Sequence, residues 1–134
     1  MSAIAPIVIN DGQATPVAHT FNPVRSSPDA FYREALSTIN ILGQGTVSMR
    51  LSSDGTLNRV KMSLALPSLE TATGANSQGY TAAPKVAYTN TVNFEFILPS
   101  RGTAAQRKDL RVLASNLLLN AQIIDALENL NIPY

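Results

Sequence analysis

The chain has no cysteine and no tryptophan, one histidine, and few charges, with ten Lys or Arg against nine Asp or Glu in 134 residues. Each scarcity removes a class of protein. Without cysteine there is no disulfide framework, no thiolate zinc site and no cysteine nucleophile. The lone histidine, His19, has no histidine or cysteine partner for a metal or catalytic pair, so a structural or exposed role is its default. A formal net charge of +1 leaves nucleic-acid binding to be decided by where the basic residues lie. Long apolar runs are missing as well. The cluster Leu117-Leu118-Leu119 is far shorter than the roughly 20 residues that span a bilayer. The start Met-Ser-Ala-Ile-Ala-Pro lacks the basic and apolar regions of a signal peptide. The expectation is a single soluble domain over residues 1–134, made in a cytoplasm, with no cofactor, no metal and no membrane partner.

What is present is period-two alternation. In Lys85–Pro99 the even positions Tyr88, Val92, Phe94, Phe96 and Leu98 are apolar and the odd positions Thr89, Thr91, Asn93 and Glu95 are polar. That is a long strand with one face in a core and one in water. Gln44–Ser52 alternates likewise, with Thr46, Ser48, Arg50 and Ser52 opposite Val47, Met49 and Leu51. Arg59–Leu66 sets Arg59, Lys61 and Ser63 against Val60, Met62, Leu64 and Leu66. Three such strands, with a turn at Ser53-Asp54-Gly55-Thr56, describe a one-sided antiparallel sheet. Upstream, Ile4–Asn10 and Thr15–Phe21 read as a hairpin closed by the two-residue turn Asp11-Gly12, with Pro16 confining the second strand to an edge or a strand start. Asn22–Asp29, with Pro23 and Pro28, reads as a connection, and Phe31–Ile41 is read as a strand although its propensity is divided. Pro67–Pro84 reads as a long loop of small polar residues, a length usually functional or disordered.

Beyond Pro99 the period becomes helical. Thr103 and Gln106 form a capping box, and Leu110, Leu113, Ala114, Leu117 and Leu118 follow the i, i+3, i+4, i+7, i+8 pattern. Asn120 marks a break before a second helix carrying Ile123, Ile124, Leu127 and Leu130. The helices are expected to cover the apolar sheet face, giving an α+β fold. Leu117–Leu119 sweep about 200° at roughly 100° per residue, so they cannot all face one sheet. A second copy of the chain is the simplest further partner, with Leu113, Leu117, Leu118, Ile123, Ile124 and Leu127 at the dimer interface.

The polar face gathers Arg50, Arg59 and Lys61 among Thr46, Ser48, Ser52, Ser63, Thr89, Thr91 and Asn93. Cations spaced among hydroxyls and amides suit phosphate contact with base-edge hydrogen bonding. Any half-exposed sheet displays similar residues, and composition alone does not separate the two readings. Elsewhere the bland readings are preferred. Asp125 and Glu128 form the solvated face of a helix rather than an acid–base pair. Arg107, Lys108 and Arg111 form an outer face beside Asp109. Tyr88, Phe94 and Phe96 belong to the core rather than to a base-stacking platform. No nucleophile, base and stabiliser can be assembled, so an enzyme is not expected.

With these residues in view, the chain resembles the coat proteins of the single-stranded RNA bacteriophages, the levivirus family. The tail Ile124-Asp125-Ala126-Leu127-Glu128-Asn129-Leu130-Asn131-Ile132-Pro133-Tyr134 is similar to that of Q-beta-like members. Ala14-Thr15-Pro16, His19-Thr20-Phe21 and Pro23 resemble the family's N-terminal hairpin, and Thr46–Arg50 with Ser52-Ser53 its RNA-face strand. Pro84-Lys85-Val86 with Tyr88-Thr89 resembles the start of its last strand. The resemblance implies an N-terminal hairpin (1–22), a five-stranded antiparallel sheet (31–98, including the loop 67–84) and two C-terminal helices (103–131). It further implies dimers with a ten-stranded sheet and interlocked helices, and an icosahedral T=3 shell around single-stranded RNA in the virion. The loop 67–84 corresponds to the family's adaptable loop at the symmetry axes. An RNA hairpin at the start of the replicase message would be bound as a repressor, through Thr46, Ser48, Arg50, Ser52, Ser53, Arg59, Lys61, Thr89 and Thr91. Several members place a stacking tyrosine where Thr89 aligns, and the cysteine crosslinks of some relatives are absent here. The alternative reading is a small dimeric RNA-binding regulator that never forms a shell.

Overall fold

The computed structural model describes residues 3–36, 38–70, 77–79 and 82–133. Six strands run antiparallel in chain order: β1 (Ile7–Asn10), β2 (Ala18–Arg25), β3 (Ala30–Arg33), β4 (Thr46–Ser53), β5 (Leu57–Leu69) and β6 (Val86–Pro99). A 3-10 turn, Ile41–Gly43, precedes β4, and the helices α1 (Ala104–Leu117) and α2 (Ala121–Glu128) follow β6. The α+β class and the strand-then-helix order are as expected. The strand order differs in one respect, because the hairpin is continuous with the sheet.

That continuity comes from β2. Its first half, Ala18–Phe21, pairs with β1, and its second half, Asn22–Arg25, pairs with β3 across a register shift between Pro23 and Arg25. Asn22–Arg25 is therefore strand, not connection; the extra residue of the shift lets β2 bend and serve two partners. The hairpin turn is also wider than the two-residue Asp11-Gly12 reading. Asp11 N–H donates to the Val17 carbonyl (3.0 Å), and Asp11 Oδ1 accepts from Gln13 N–H (3.2 Å) and Val17 N–H (2.9 Å). The aspartate organises a loop over residues 11–17, which leaves Pro16 outside the ladder where it cannot donate.

Of Phe31–Ile41, only the first residues extend β3. Glu34 leaves the ladder, donating its N–H to the Gly45 carbonyl (2.9 Å) while its carboxylate turns to His19. The turn between β4 and β5 matches the sequence. Gly55 has φ +93°, and the Asp54 carboxylate accepts from Leu57 N–H (2.8 Å) and Thr56 N–H (3.0 Å). β5 then runs three residues past its expected end, so Pro67, Ser68 and Leu69 are strand. The base of the following loop is closed by Glu70 N–H donating to the Lys85 carbonyl (2.8 Å). Residues 71–76, 80 and 81 lie outside the described residues, and with them eight of the eighteen residues of the expected loop 67–84.

The capping box at α1 is formed: Thr103 Oγ1 accepts from Gln106 N–H (3.3 Å) and Gln106 Oε1 from Thr103 N–H (3.0 Å). Asn120 caps α2 by accepting from Gln122 N–H (3.0 Å), and the two helices meet at a 60° bend. No single helix among the described residues is long and apolar enough to cross a membrane.

The expectation that the helices cover their own sheet is not met, since neither packs extensively on a strand of the same chain. Only part of the apolar sheet face is covered, by the hairpin, which borders a cavity of about 170 Å³ lined by Ile9, His19, Phe21, Leu64 and Leu66. Among the described residues only Phe21 and Tyr32 are buried large apolar side chains. Tyr88, expected in the core, is 61% exposed, with no described helix packed over its end of the sheet. A folded monomer of this mass exposes roughly 6,800 Å²; this chain exposes 10451 Å².

Candidate nucleic-acid interface and association surfaces

Antiparallel pairing sets the polar face in rows, because directly opposed residues point to the same side. One row runs Arg25, Phe31, Ser48, Ser63, Asn93 across β2 to β6. The next runs Asn22, Arg33, Thr46, Ala65, Thr91. On the other side lie Arg50, Lys61, Glu95 and then Ser52, Arg59, Ile97. Thr89 opposes Pro67 at the far end. Of the residues expected on this face, Thr46, Ser48, Arg50, Ser52, Arg59, Lys61, Ser63, Thr89, Thr91 and Asn93 are brought together. Ser53 is not: it opposes Asn58, one residue out of phase, and its side chain belongs to the opposite face.

The face forms a shallow groove of about 660 Å³ bordered by Asp29, Ser48, Arg50, Lys61, Ser63, Asn93 and Glu95. Glu95 sits among the cations, 3.5 Å from Arg59 Nη1 and 3.8 Å from Lys61 Nζ. These are half-exposed pairs, each worth no more than about 1 kcal/mol, so an incoming phosphate can compete for either cation. Arg50 has no carboxylate partner among the described residues. Arg25, Phe31, Arg33, Asp29 and Glu95 were missing from the sequence-derived site. Phe31 and Arg33 share the spacing of a strand face, but Arg25 joins them only through the shift in β2.

The second surface is apolar. Leu113, Leu117, Leu118, Ile124 and Leu127 are exposed and Ile123 is half-buried. Leu51, Leu66, Tyr88 and Val92 are exposed on the strands. β6, fourteen residues long, stands at the free edge of the sheet.

Other flagged residues have local roles. Asp125 accepts from the side-chain amides of Asn129 (2.7 Å) and Asn131 (2.8 Å) beyond α2. Arg107 donates to the Gly102 carbonyl (2.7 Å) at the start of α1. His19 bridges Glu34 through Nδ1 and Asp11 through Nε2. These contacts, Glu34 first, raise its pKa above the ordinary imidazole value. Among the described residues no three acidic or histidine side chains are grouped to hold a metal ion.

A one-sided sheet with a cationic open face, followed by two helices that pack little on the described strands of their own chain, is the architecture of a phage coat protein. Solved structures agree. The chain is similar to the virus-like particle of bacteriophage ESE058, at 34% identity and TM-score 0.88 over 99% of this chain and 100% of that one. It is similar to the virus-like particle of bacteriophage NT-214, at 26% identity and TM-score 0.85 over 99% and 100%. The bacteriophage GA capsid protein shares the fold at 15% identity, with TM-score 0.73 over 94% of each chain. No curated protein matches the chain. Residues 2–134 match the levivirus coat protein family, and the chain belongs to that family.

Proposed function

We propose that this coat protein folds as an obligate homodimer and assembles into an icosahedral T=3 shell around single-stranded RNA. Two chains pair edge to edge through β6, so that β2–β6 of each make one ten-stranded sheet with a hairpin strand β1 at either end, and the helices of each cover the apolar sheet face of the other. The observation that carries this reading is the division of unpartnered surface. One side of the chain leaves an apolar sheet face and apolar helices uncovered, while the other gathers Arg50, Arg59 and Lys61. A long unpaired edge strand is a template for pairing with another chain. The roughly 3,600 Å² that each chain exposes beyond a monomer's expectation comes to about 7,200 Å² over two chains, at the large, obligate end of interface sizes. The solved neighbours named as virus-like particles support a shell.

The polar face then lines the interior and meets the RNA. Thr46, Ser48, Arg50, Ser52, Arg59, Lys61, Ser63, Thr89, Thr91 and Asn93 contact phosphates, sugars and base edges. An RNA hairpin bound there would repress replicase translation and mark the genome for packaging. The role is structural rather than enzymatic, in a virion assembled from protein made in the bacterial cytoplasm. Residues 1–134 act as one coat domain, held in its shell without cysteine crosslinks.

The test is sedimentation of the protein expressed alone in bacteria, with absorbance at 260 and 280 nm. Large uniform particles rich in nucleic acid are expected. A small dimer that binds RNA without assembling would replace the shell with a free regulator, and a small RNA-free species would refute both. Lys61→Ala should weaken RNA binding and reduce the salt slope by about 0.7 for each lost phosphate contact; an unchanged affinity and slope would exclude this face.

A further inference from the structure

We propose that Arg25, Phe31 and Arg33 form a stacking platform for an unpaired RNA base at the outer end of the polar face. The inference rests on reading that face as the RNA surface. Phe31 is an aromatic side chain in a row otherwise made of polar groups. The guanidinium carbons of Arg25 and Arg33 lie over its ring, at 4.9 and 5.6 Å from the centroid, within the range of cation–π attraction.

Arg25 is further held by Asp29. Its Nε and Nη2 donate to Asp29 Oδ1 at 3.1 and 2.9 Å, and Nη2 donates to Oδ2 at 3.1 Å. This clamp has two consequences. One of the two edges through which the guanidinium could grip a phosphate bidentately is already occupied and its charge is offset by Asp29, so Arg25 is a weaker phosphate ligand than Arg50. Its plane, fixed in orientation and with the side chain 52% exposed, remains open to a flat partner.

The available flat partner on an RNA surface is a nucleobase, which stacks on guanidinium and aromatic planes alike. Asp29 also borders the groove containing Ser48, Ser63 and Asn93, so a base stacked on Arg25 lies beside hydroxyl and amide groups able to reach its edge or its sugar. A base within a duplex has no free face to offer. The platform therefore selects loop or single-stranded nucleotides, while Arg50, Arg59 and Lys61 hold backbone of either kind.

The experiment uses the intact, associated protein and two probes: a 12-nucleotide oligoadenylate carrying 2-aminopurine, and a fully paired RNA duplex of the same length. Phe31→Leu keeps apolar bulk and removes the ring; Arg25→Lys keeps the charge and removes the plane. Each should lower affinity for the single strand about tenfold, reduce the change in 2-aminopurine fluorescence on binding, and leave duplex affinity and salt slope unchanged. Lys61→Ala should weaken both probes and flatten the slope. If Lys61→Ala behaves so while Phe31→Leu and Arg25→Lys bind the single strand like the parent, the platform is refuted and the RNA face stands. If the parent binds neither probe, both readings fall. Should Phe31→Leu not fold, Arg25→Lys decides alone.

Discussion

Replacing Leu117 with Ala tests the association surface at its most informative point. Leu117 is 58% exposed in the single chain although it lies on the apolar stripe of α1. Burying that area against a partner is worth roughly 2 kcal/mol at about 25 cal/mol/Å², and the cavity left by truncation raises the cost to about 2–5 kcal/mol. A symmetric dimer suffers the loss twice. The expected total of at least about 4 kcal/mol corresponds to roughly three decades in the dissociation constant. Urea unfolding at protein concentrations tenfold apart provides the assay. A dimer whose folding and association are coupled has a midpoint that rises with concentration. Leu117→Ala should lower the midpoint at both concentrations, whereas Leu117→Met, which nearly conserves volume, should cost less than about 1.5 kcal/mol. A wild-type midpoint independent of concentration would refute the reasoning, as would a Leu117→Ala protein that unfolds like its parent.

Two further outcomes concern the hairpin and what it covers. The raised pKa of His19, caused first by Glu34 and then by Asp11, means its stabilisation is complete below the unfolded value near 6.5 and is lost as pH rises through the folded value. The thermal midpoint should therefore fall between pH 6 and 9 in the wild type and stay flat in His19→Gln; an equal decline in both would remove His19 as the cause. At Gly45 a Cβ would sit 3.0 Å from Leu66 Cδ2 and 3.2 Å from Cε1 of the buried Phe21. Gly45→Ala should then cost about 1–3 kcal/mol in urea unfolding. Gly12→Ala, with nothing within 4 Å of its Cβ, should be nearly neutral, and equal effects at the two glycines would contradict the packing described.

Much of the architecture is legible without coordinates, and the reason is physical. Alternation in β4, β5 and β6, the capping box at Thr103 and the cap at Asn120 are local signals, carried by residues a few positions apart. The misreadings arose where a distant partner overrode local propensity. Pro23 suggested a connection, yet β3 pairs with Asn22–Arg25 around it. Pro67 suggested the end of a strand, yet β6 carries the pairing on to Leu69. Ser53 looked continuous with Ser52, and a single step of parity sends it to the other face.

The two-faced character of the strands, the amphipathic helices and the surplus of apolar surface that one chain cannot bury are all written in local residue order. Which polar residues share a row, that Arg25 joins Phe31 and Arg33, and that the helices leave their own sheet emerge only from the folded chain. Those outcomes depend on register and on a bulge in β2. Both are set by pairing between segments far apart in the chain, where a shift of one residue reverses the face that every side chain presents.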